Sequence, residues 1–145
     1  MNIGIVVSEF NSEVTGRMLE VALERAGSRG MRVVHVCRVP GAFDMPVVVD
    51  ALLRKDAVEG VAALGAVIKG QTKHDEVISH ATARSLQDLS VRYGKPVSLG
   101  VTGPGMRERQ AYARIRPVAE HAVDTVASLH AGLERIRGAP GDGEL

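Results

Sequence analysis

Cysteine, aromatic residues and long apolar runs are scarce in this sequence of 145 residues. Its single cysteine, Cys37, excludes a disulfide within the chain, and an unpaired thiol is typical of a reducing compartment. No apolar run approaches the roughly 20 residues of a membrane helix, and no basic leader with a cleavage site precedes the first apolar segment. These absences predict a cytoplasmic protein.

Charge of one sign is also missing, because the formal net charge is only +1 at pH 7. A general nucleic-acid binder needs a basic face and aromatic side chains on which bases stack. Aromatic residues make up 3% of the chain, so the composition argues against nucleic acid as a partner.

What the sequence does contain is a regular alternation of apolar runs and helical segments. Apolar runs joined by helices are typical of a parallel sheet covered on both faces. We therefore predict one flavodoxin-like α/β domain over residues 1–138, a three-layer αβα sandwich with a four-stranded parallel sheet, and a flexible tail at 139–145. The predicted strands are 3–8, 31–38, 61–68 and 97–101, and the predicted helices are 12–26, one from about 44, 75–93 and a last one ending near 138.

Helical spacing also predicts which side chains face the sheet. Gly27 is the predicted stop of the first helix. The predicted inner faces consist of Val14, Met18, Val21 and Leu23 in the first helix and of Val118, Ala122, Val126, Leu129 and Leu133 in the last.

Ligands of parallel α/β sheets bind outside the carboxyl ends of the strands. We therefore expect the loops at 9–12, 39–46, 69–75 and 102–114 to converge on one rim. The only phenylalanines, Phe10 and Phe43, fall in these loops. Each is interpreted either as a stacking platform for a planar ligand or as an apolar plug over the sheet edge.

The segment from Leu64 to Glu76 is the most informative, since an apolar run leads directly into glycine, threonine, lysine and histidine. Gly70 and Thr72 lie before a predicted helix start, where free amides bind phosphate. Histidine is the only residue type in this loop whose unperturbed pKa lies near neutrality, so His74 is the natural proton carrier. The alternative is an ordinary solvated turn, and this segment alone leaves both interpretations open.

Two other motifs are excluded. Gly65 and Gly70 have the spacing of a nucleotide phosphate loop, but Gln71 and Thr72 replace its lysine and hydroxyl pair. His74 and the next histidine, His80, fall on different faces of a helix, so we predict no metal site.

Four segments together resemble the lumazine synthase family, in the family's order and over nearly the whole chain. The sequence is more similar to the archaeal than to the bacterial branch, because of Phe-Asp-Met-Pro at 43–46 and Gly-Pro-Gly-Met at 103–106. The four segments are Glu-Phe-Asn at 9–11, Val-Pro-Gly-Ala-Phe-Asp-Met-Pro at 39–46, Gly-Ala-Val-Ile-Lys-Gly-Gln-Thr-Lys-His-Asp-Glu at 65–76 and Gln-Ala-Tyr-Ala-Arg at 110–114.

The resemblance implies a reaction of riboflavin biosynthesis. In it, 5-amino-6-(D-ribitylamino)uracil condenses with 3,4-dihydroxy-2-butanone 4-phosphate to give 6,7-dimethyl-8-ribityllumazine, phosphate and water. It implies neither a cofactor nor a metal. It implies small-molecule substrates and a homo-oligomer with sites shared between subunits, either a pentamer or a hollow shell of twelve pentamers.

The resemblance also assigns roles to residues of this sequence. His74 would be catalytic, while Gln71, Thr72 and, from a neighbouring subunit, Arg114 would bind the phosphate. His121 is the nearest candidate for a further basic contact from the last helix. Substrate binding would fall to Phe10, Asn11, Ala42, Phe43, Asp44, Ala66, Val67, Ile68 and Leu99.

Two other functions remain open from the sequence. One is an archaeal-type riboflavin synthase, against which the phosphate-site residues Thr72 and Arg114 argue. The other is a non-catalytic module that binds a flavin or a phosphorylated ligand, and the presence of His74 favours an enzyme instead.

Overall fold

The computed structural model describes residues 1–145 as one sheet flanked by helices. A short 3-10 turn, Ala42–Asp44, precedes the second helix. The strands are β1 (Asn2–Ser8), β2 (Arg32–Val39), β3 (Gly60–Ile68) and β4 (Val97–Met106). The helices are α1 (Ser12–Ser28), α2 (Met45–Leu53), α3 (His74–Tyr93), α4 (Glu108–Ala113) and α5 (Ile115–Gly138).

All strands pair in parallel in the order β2-β1-β3-β4. Side chains alternate across the sheet, as the strand period requires. In β1, Ile3, Ile5 and Val7 pack with α1, α4 and α5, whereas Val6 packs with α2 and α3 on the opposite face. The predicted three-layer αβα sandwich with a four-stranded parallel sheet is thereby confirmed.

The last strand and the segment after it differ from the prediction. β4 continues to Met106, because a register shift between Ala66 and Ile68 lets Ile68 pair with Met106. The predicted loop at 102–114 is therefore strand up to Met106 and then helix α4.

Gly27 does not end the first helix, which continues to Ser28. A glycine inside a helix costs only about 1 kcal/mol, so packing of the rest of α1 outweighs it. The chain turns instead at Gly30, whose φ of 69° suits a residue without a side chain.

Two predicted inward residues are wrong. Leu23 is 40% exposed, because it lies about 140° around the helix from the fully buried Met18. Leu129 is 47% exposed. Val126, the last buried residue of α5, lies beside Gly60 at the start of β3, so Leu129 lies beyond the edge of the sheet.

No helix is both long enough and apolar enough to cross a membrane.

Close packing of α5 on the sheet depends on Gly100 in β4. A Cβ atom there would lie 2.6 Å from the carbonyl oxygen of Ala63 and 2.9 Å from the Cβ of Ala122. We expect Gly100→Ala to lower the free energy of unfolding by about 1–3 kcal/mol through overpacking. Urea titration of the variant beside the parent measures the loss.

The matched control is Gly16→Ala inside α1, where an added Cβ meets nothing within 4 Å. That change should raise the free energy of unfolding by about 0.5–1 kcal/mol, because alanine favours the helix. Equal stabilities for the two variants would contradict the tight contact between β4 and α5.

Candidate active site

A cavity of about 780 Å³ lies at the carboxyl ends of β1, β2 and β3, closed on one side by the first turns of α3. This rim is where a parallel sheet places its ligand. The lining residues are Phe10, Asn11, Pro40, Gly41, Ala42, Phe43, Asp44, Ala66, Val67, Ile68, Gly70, Thr72, His74, Asp75, Val77 and Ile78.

Hydrogen bonds hold the segment after β1 in place, while the side chain of Phe10 in that segment is exposed. The backbone N–H of Phe10 donates to the carbonyl oxygen of Pro40 at 2.9 Å. Asn11 has a left-handed φ of 63°, and its Nδ2 donates to the carbonyl oxygen of Ala66 at 2.9 Å. Phe10 is 74% exposed, so its ring lines the cavity and is not part of the hydrophobic core.

The segment after β2 forms a short turn around a carboxylate. The backbone N–H of Gly41 donates to Oδ2 of Asp44 at 2.9 Å. Ala42 is buried beneath the turn, while Phe43 is 63% exposed. Both phenylalanines thus line one cavity from different strand ends, and neither is buried as a plug.

The segment after β3 presents unused backbone donors. None of the N–H groups of residues 70–73 donates a hydrogen bond within the protein. Thr72 accepts a bond from the N–H of His74 through Oγ1, at 3.3 Å. Free amides before a helix start attract anions, and Lys69 and Lys73 add positive charge to the same segment. The arrangement can hold a phosphate next to an exposed imidazole.

Four predicted site residues lie outside this cavity within one chain. Gln71 is exposed in the same loop but does not line the cavity. Leu99 is 51% exposed on β4, and Arg114 is exposed between α4 and α5. His121 is exposed on α5, where its Nε2 lies 3.3 Å from Oγ1 of Thr125.

Helix α4, which ends just before Arg114, is anchored to α1 by an aromatic side chain. The hydroxyl of Tyr112 donates to the carboxylate of Glu13, and this bond is the main reason that the pKa of Tyr112 is raised above its usual range. The guanidinium of Arg17 lies 5.5 Å from the centre of the Tyr112 ring. These contacts tie the segment just before Arg114 to α1.

The prediction of site residues omitted part of the lining: Pro40, Gly41, Asp75, Val77 and Ile78. Helical spacing carried a signal for two of them, since Val77 and Ile78 fall one turn after His74 on the same side of α3. For Asp75 no pattern signals its burial. No group of three or more His, Cys, Asp or Glu side chains is placed to hold a metal ion.

The chain was compared with known families and proteins. The family model of 6,7-dimethyl-8-ribityllumazine synthase matches residues 1–136. A protein of that name from Sulfolobus acidocaldarius is 50% identical over 137 residues, which cover 94% of this chain and 87% of the relative.

Two further relatives carry the same name. The protein from Staphylothermus marinus is 50% identical over 127 residues, 88% of this chain and 85% of the relative. The protein from Pyrobaculum arsenaticum is 45% identical over 139 residues, 96% of this chain and 93% of the relative. All three organisms are archaea, as the motifs at 43–46 and 103–106 predicted. With the family model spanning both faces of the sheet and every segment of the cavity, the chain belongs to the 6,7-dimethyl-8-ribityllumazine synthase family.

Proposed function

We propose that this chain condenses 5-amino-6-(D-ribitylamino)uracil with 3,4-dihydroxy-2-butanone 4-phosphate in the cavity at the strand ends, yielding 6,7-dimethyl-8-ribityllumazine, phosphate and water. Family membership and the names of the three relatives support the activity. One observation carries the choice of site. Gly70 and Thr72, whose amides are free, and the imidazole of His74 line the same cavity as the exposed Phe10.

The uracil substrate occupies the half of the cavity formed after β1 and β2. Its ring stacks on Phe10, with Asn11 beside it, and the backbone from Ala66 to Ile68 binds its edge. The ribityl chain lies against Ala42, Phe43 and Asp44. The turn held by Gly41 and Asp44 supports this assignment, because it fixes polar and apolar groups side by side without occupying the cavity.

The sugar phosphate occupies the half formed after β3. Amides of Gln71 and Thr72 bind the phosphate, and His74 transfers protons during imine formation and phosphate elimination. Elimination places negative charge on the departing phosphate, and amide dipoles at a helix start stabilise that charge. The remaining contribution is orientation of two reactants in one cavity.

A second subunit completes the site. Arg114, Leu99 and His121 are exposed and lie outside the cavity of their own chain, which supports their assignment to a neighbour's cavity. We propose a cytoplasmic pentamer, with a shell of twelve pentamers as the larger form, in which residues 1–138 act as one catalytic domain. Arg114 would bind the phosphate of the adjacent subunit, and His121 would add a basic contact.

The alternatives are less well supported. A riboflavin synthase would dismutate two lumazine molecules and need no phosphate site, whereas the free amides after β3 support the presence of one. A binding module would not require His74. The deciding experiment mixes purified protein with both substrates and follows lumazine absorbance together with released phosphate. Product formed from lumazine alone, without sugar phosphate, would instead identify the riboflavin synthase.

His74→Ala should slow turnover by roughly 10²- to 10⁴-fold with little change in substrate affinity, because a general acid and base is lost. Steady-state kinetics across the pH range measures this. The matched control is His80→Ala, since His80 is exposed on the same helix outside the cavity. An unchanged rate in His74→Ala, or an equal loss in the control, would exclude the role.

Phe10→Ala should weaken binding of the uracil substrate by about 1–3 kcal/mol, the usual range for a base stacked on an aromatic ring. Melting temperature should hardly change, because the ring is 74% exposed. Phe10→Tyr should restore affinity, and Phe10→Leu should not. Unaltered affinity combined with a large fall in melting temperature would contradict stacking.

The shared site predicts complementation between two inactive variants. Arg114→Ala alone should be nearly inactive, because a forked charged contact to phosphate is lost and lysine cannot replace its geometry. Arg116→Ala is the control, since Arg116 pairs with Glu120 in its own helix. Mixed rings of His74→Ala and Arg114→Ala subunits contain some interfaces with both residues intact, so activity should partly return.

Light scattering should first report a pentamer or a multiple of five chains. Differently tagged chains that purify together then show that mixed rings form. Mixed rings as inactive as either parent would place His74 and Arg114 in the same site within one chain, and a stable active monomer would exclude the shared site.

A further inference from the structure

Asp75 is a buried carboxylate in the wall of the cavity. It is 5% exposed and is the residue directly after His74 in the first turn of α3. Acidic side chains are seldom buried to this extent unless they are paired. Its one hydrogen bond within the protein comes from the backbone N–H of Gly105, at 2.8 Å from Oδ2.

This bond joins the helix to the end of β4, and a second bond does the same on the other side of the loop. The N–H of Lys69 donates to the carbonyl oxygen of Met106 at 2.7 Å. The segment 70–74 is thus tied at both ends to two consecutive residues of β4. Between these ties the N–H groups of residues 70–73 donate no hydrogen bond, and the bond from His74 to Thr72 is long, at 3.3 Å.

The end of β4 is itself tightly placed. Gly103 has a φ of 114°, and a Cβ atom there would lie 2.5 Å from the carbonyl oxygen of Val67. The strand therefore passes directly against β3 before it reaches Gly105. Gly105 lies between this close contact and Met106, which pairs with Ile68 of β3, so the partner of Asp75 is part of the sheet.

From this geometry we infer that Asp75 is a positioning residue. Its carboxylate holds the anion-binding loop, residues 70–73, and His74 against the end of β4. The inference rests on the proposed function, because that function supplies the phosphate that the loop binds. Asp75 does not contact the phosphate itself, which its negative charge would repel. It acts through Gly105 by keeping the free amides of residues 70–73 ordered before the ligand arrives.

The bond requires an acceptor of the right length, and the chain offers a graded set of variants. Asp75→Asn keeps an acceptor oxygen at the same reach, whereas Asp75→Ala removes it. In Asp75→Ser the side chain is too short to reach Gly105, but serine is favourable near the start of a helix. This variant therefore replaces the alanine variant if that one fails to fold. Glu76→Ala is the matched control, because Glu76 is an exposed acid in the same turn whose carboxylate makes no hydrogen bond.

Kinetics with each substrate varied in turn tests the inference. Asp75→Ala should raise KM for the sugar phosphate and lower kcat, together by roughly 10- to 100-fold, the loss expected for one hydrogen bond to a charged group. KM for the uracil substrate should stay within about threefold. The asparagine variant should recover most of the loss, and Glu76→Ala should resemble the parent.

Hydrogen exchange of the unliganded protein gives a readout independent of catalysis. Asp75→Ala should speed exchange of the hydrogen-bonded amides of Lys69, Glu76 and Gly105 but not of those in β1, and asparagine should restore protection. If the parent protein makes no lumazine, the proposed function fails while the exchange pattern still tests the positioning role. Unchanged exchange and KM in Asp75→Ala, equal effects on both substrates, or an asparagine variant as impaired as alanine would each overturn it.

Discussion

The structure depends on the burial of β3 between two parallel neighbours. From Gly60 to Val67 every residue of this strand is buried, and it pairs with β1 on one side and β4 on the other. Its side chains divide between the two helical layers, with Leu64 in one cluster and Ala63 in the other. Because β3 cannot shift without exposing both layers, the loop that follows it begins at a fixed point.

The cavity combines two kinds of surface because it draws on different strand ends. After β1 and β2 the chain bonds to itself, through Phe10 to Pro40 and Gly41 to Asp44, and presents aromatic rings. After β3 the amides of residues 70–73 stay free and no aromatic ring is present. The cavity therefore has an aromatic half and a half with free amides, and His74 lies next to the second.

The loop in the polar half of the cavity, residues 70–73, is flanked by two hydrogen bonds to the end of β4. The segment 70–74 is exposed, none of the N–H groups of residues 70–73 donates a hydrogen bond, and the N–H of Lys69 and the carboxylate of Asp75 bond to the end of β4 on either side of it. The same strand end leads into α4, which Tyr112 anchors to α1. The end of β4 thus contacts the anion-binding loop and also leads into the segment that carries Arg114, the residue we assign to the neighbouring site.

The fold class and most of the residues that line the cavity follow from the pattern of apolar runs and helical segments. Continuous apolar runs separated by helical spacing allow only a covered parallel sheet, and strand ends of such a sheet share one rim, so Phe10, Phe43, Thr72 and His74 were predictable as neighbours. Tertiary structure alone decided the length of β4, because the register shift near Ile68 depends on pairing between distant segments. It also decided the exposure of Leu129, which follows from where the sheet ends beneath α5, and the burial of Asp75, whose partner Gly105 is remote in sequence. Periodicity reports which side of an element is apolar, but it carries no information on which distant backbone group meets a given side chain.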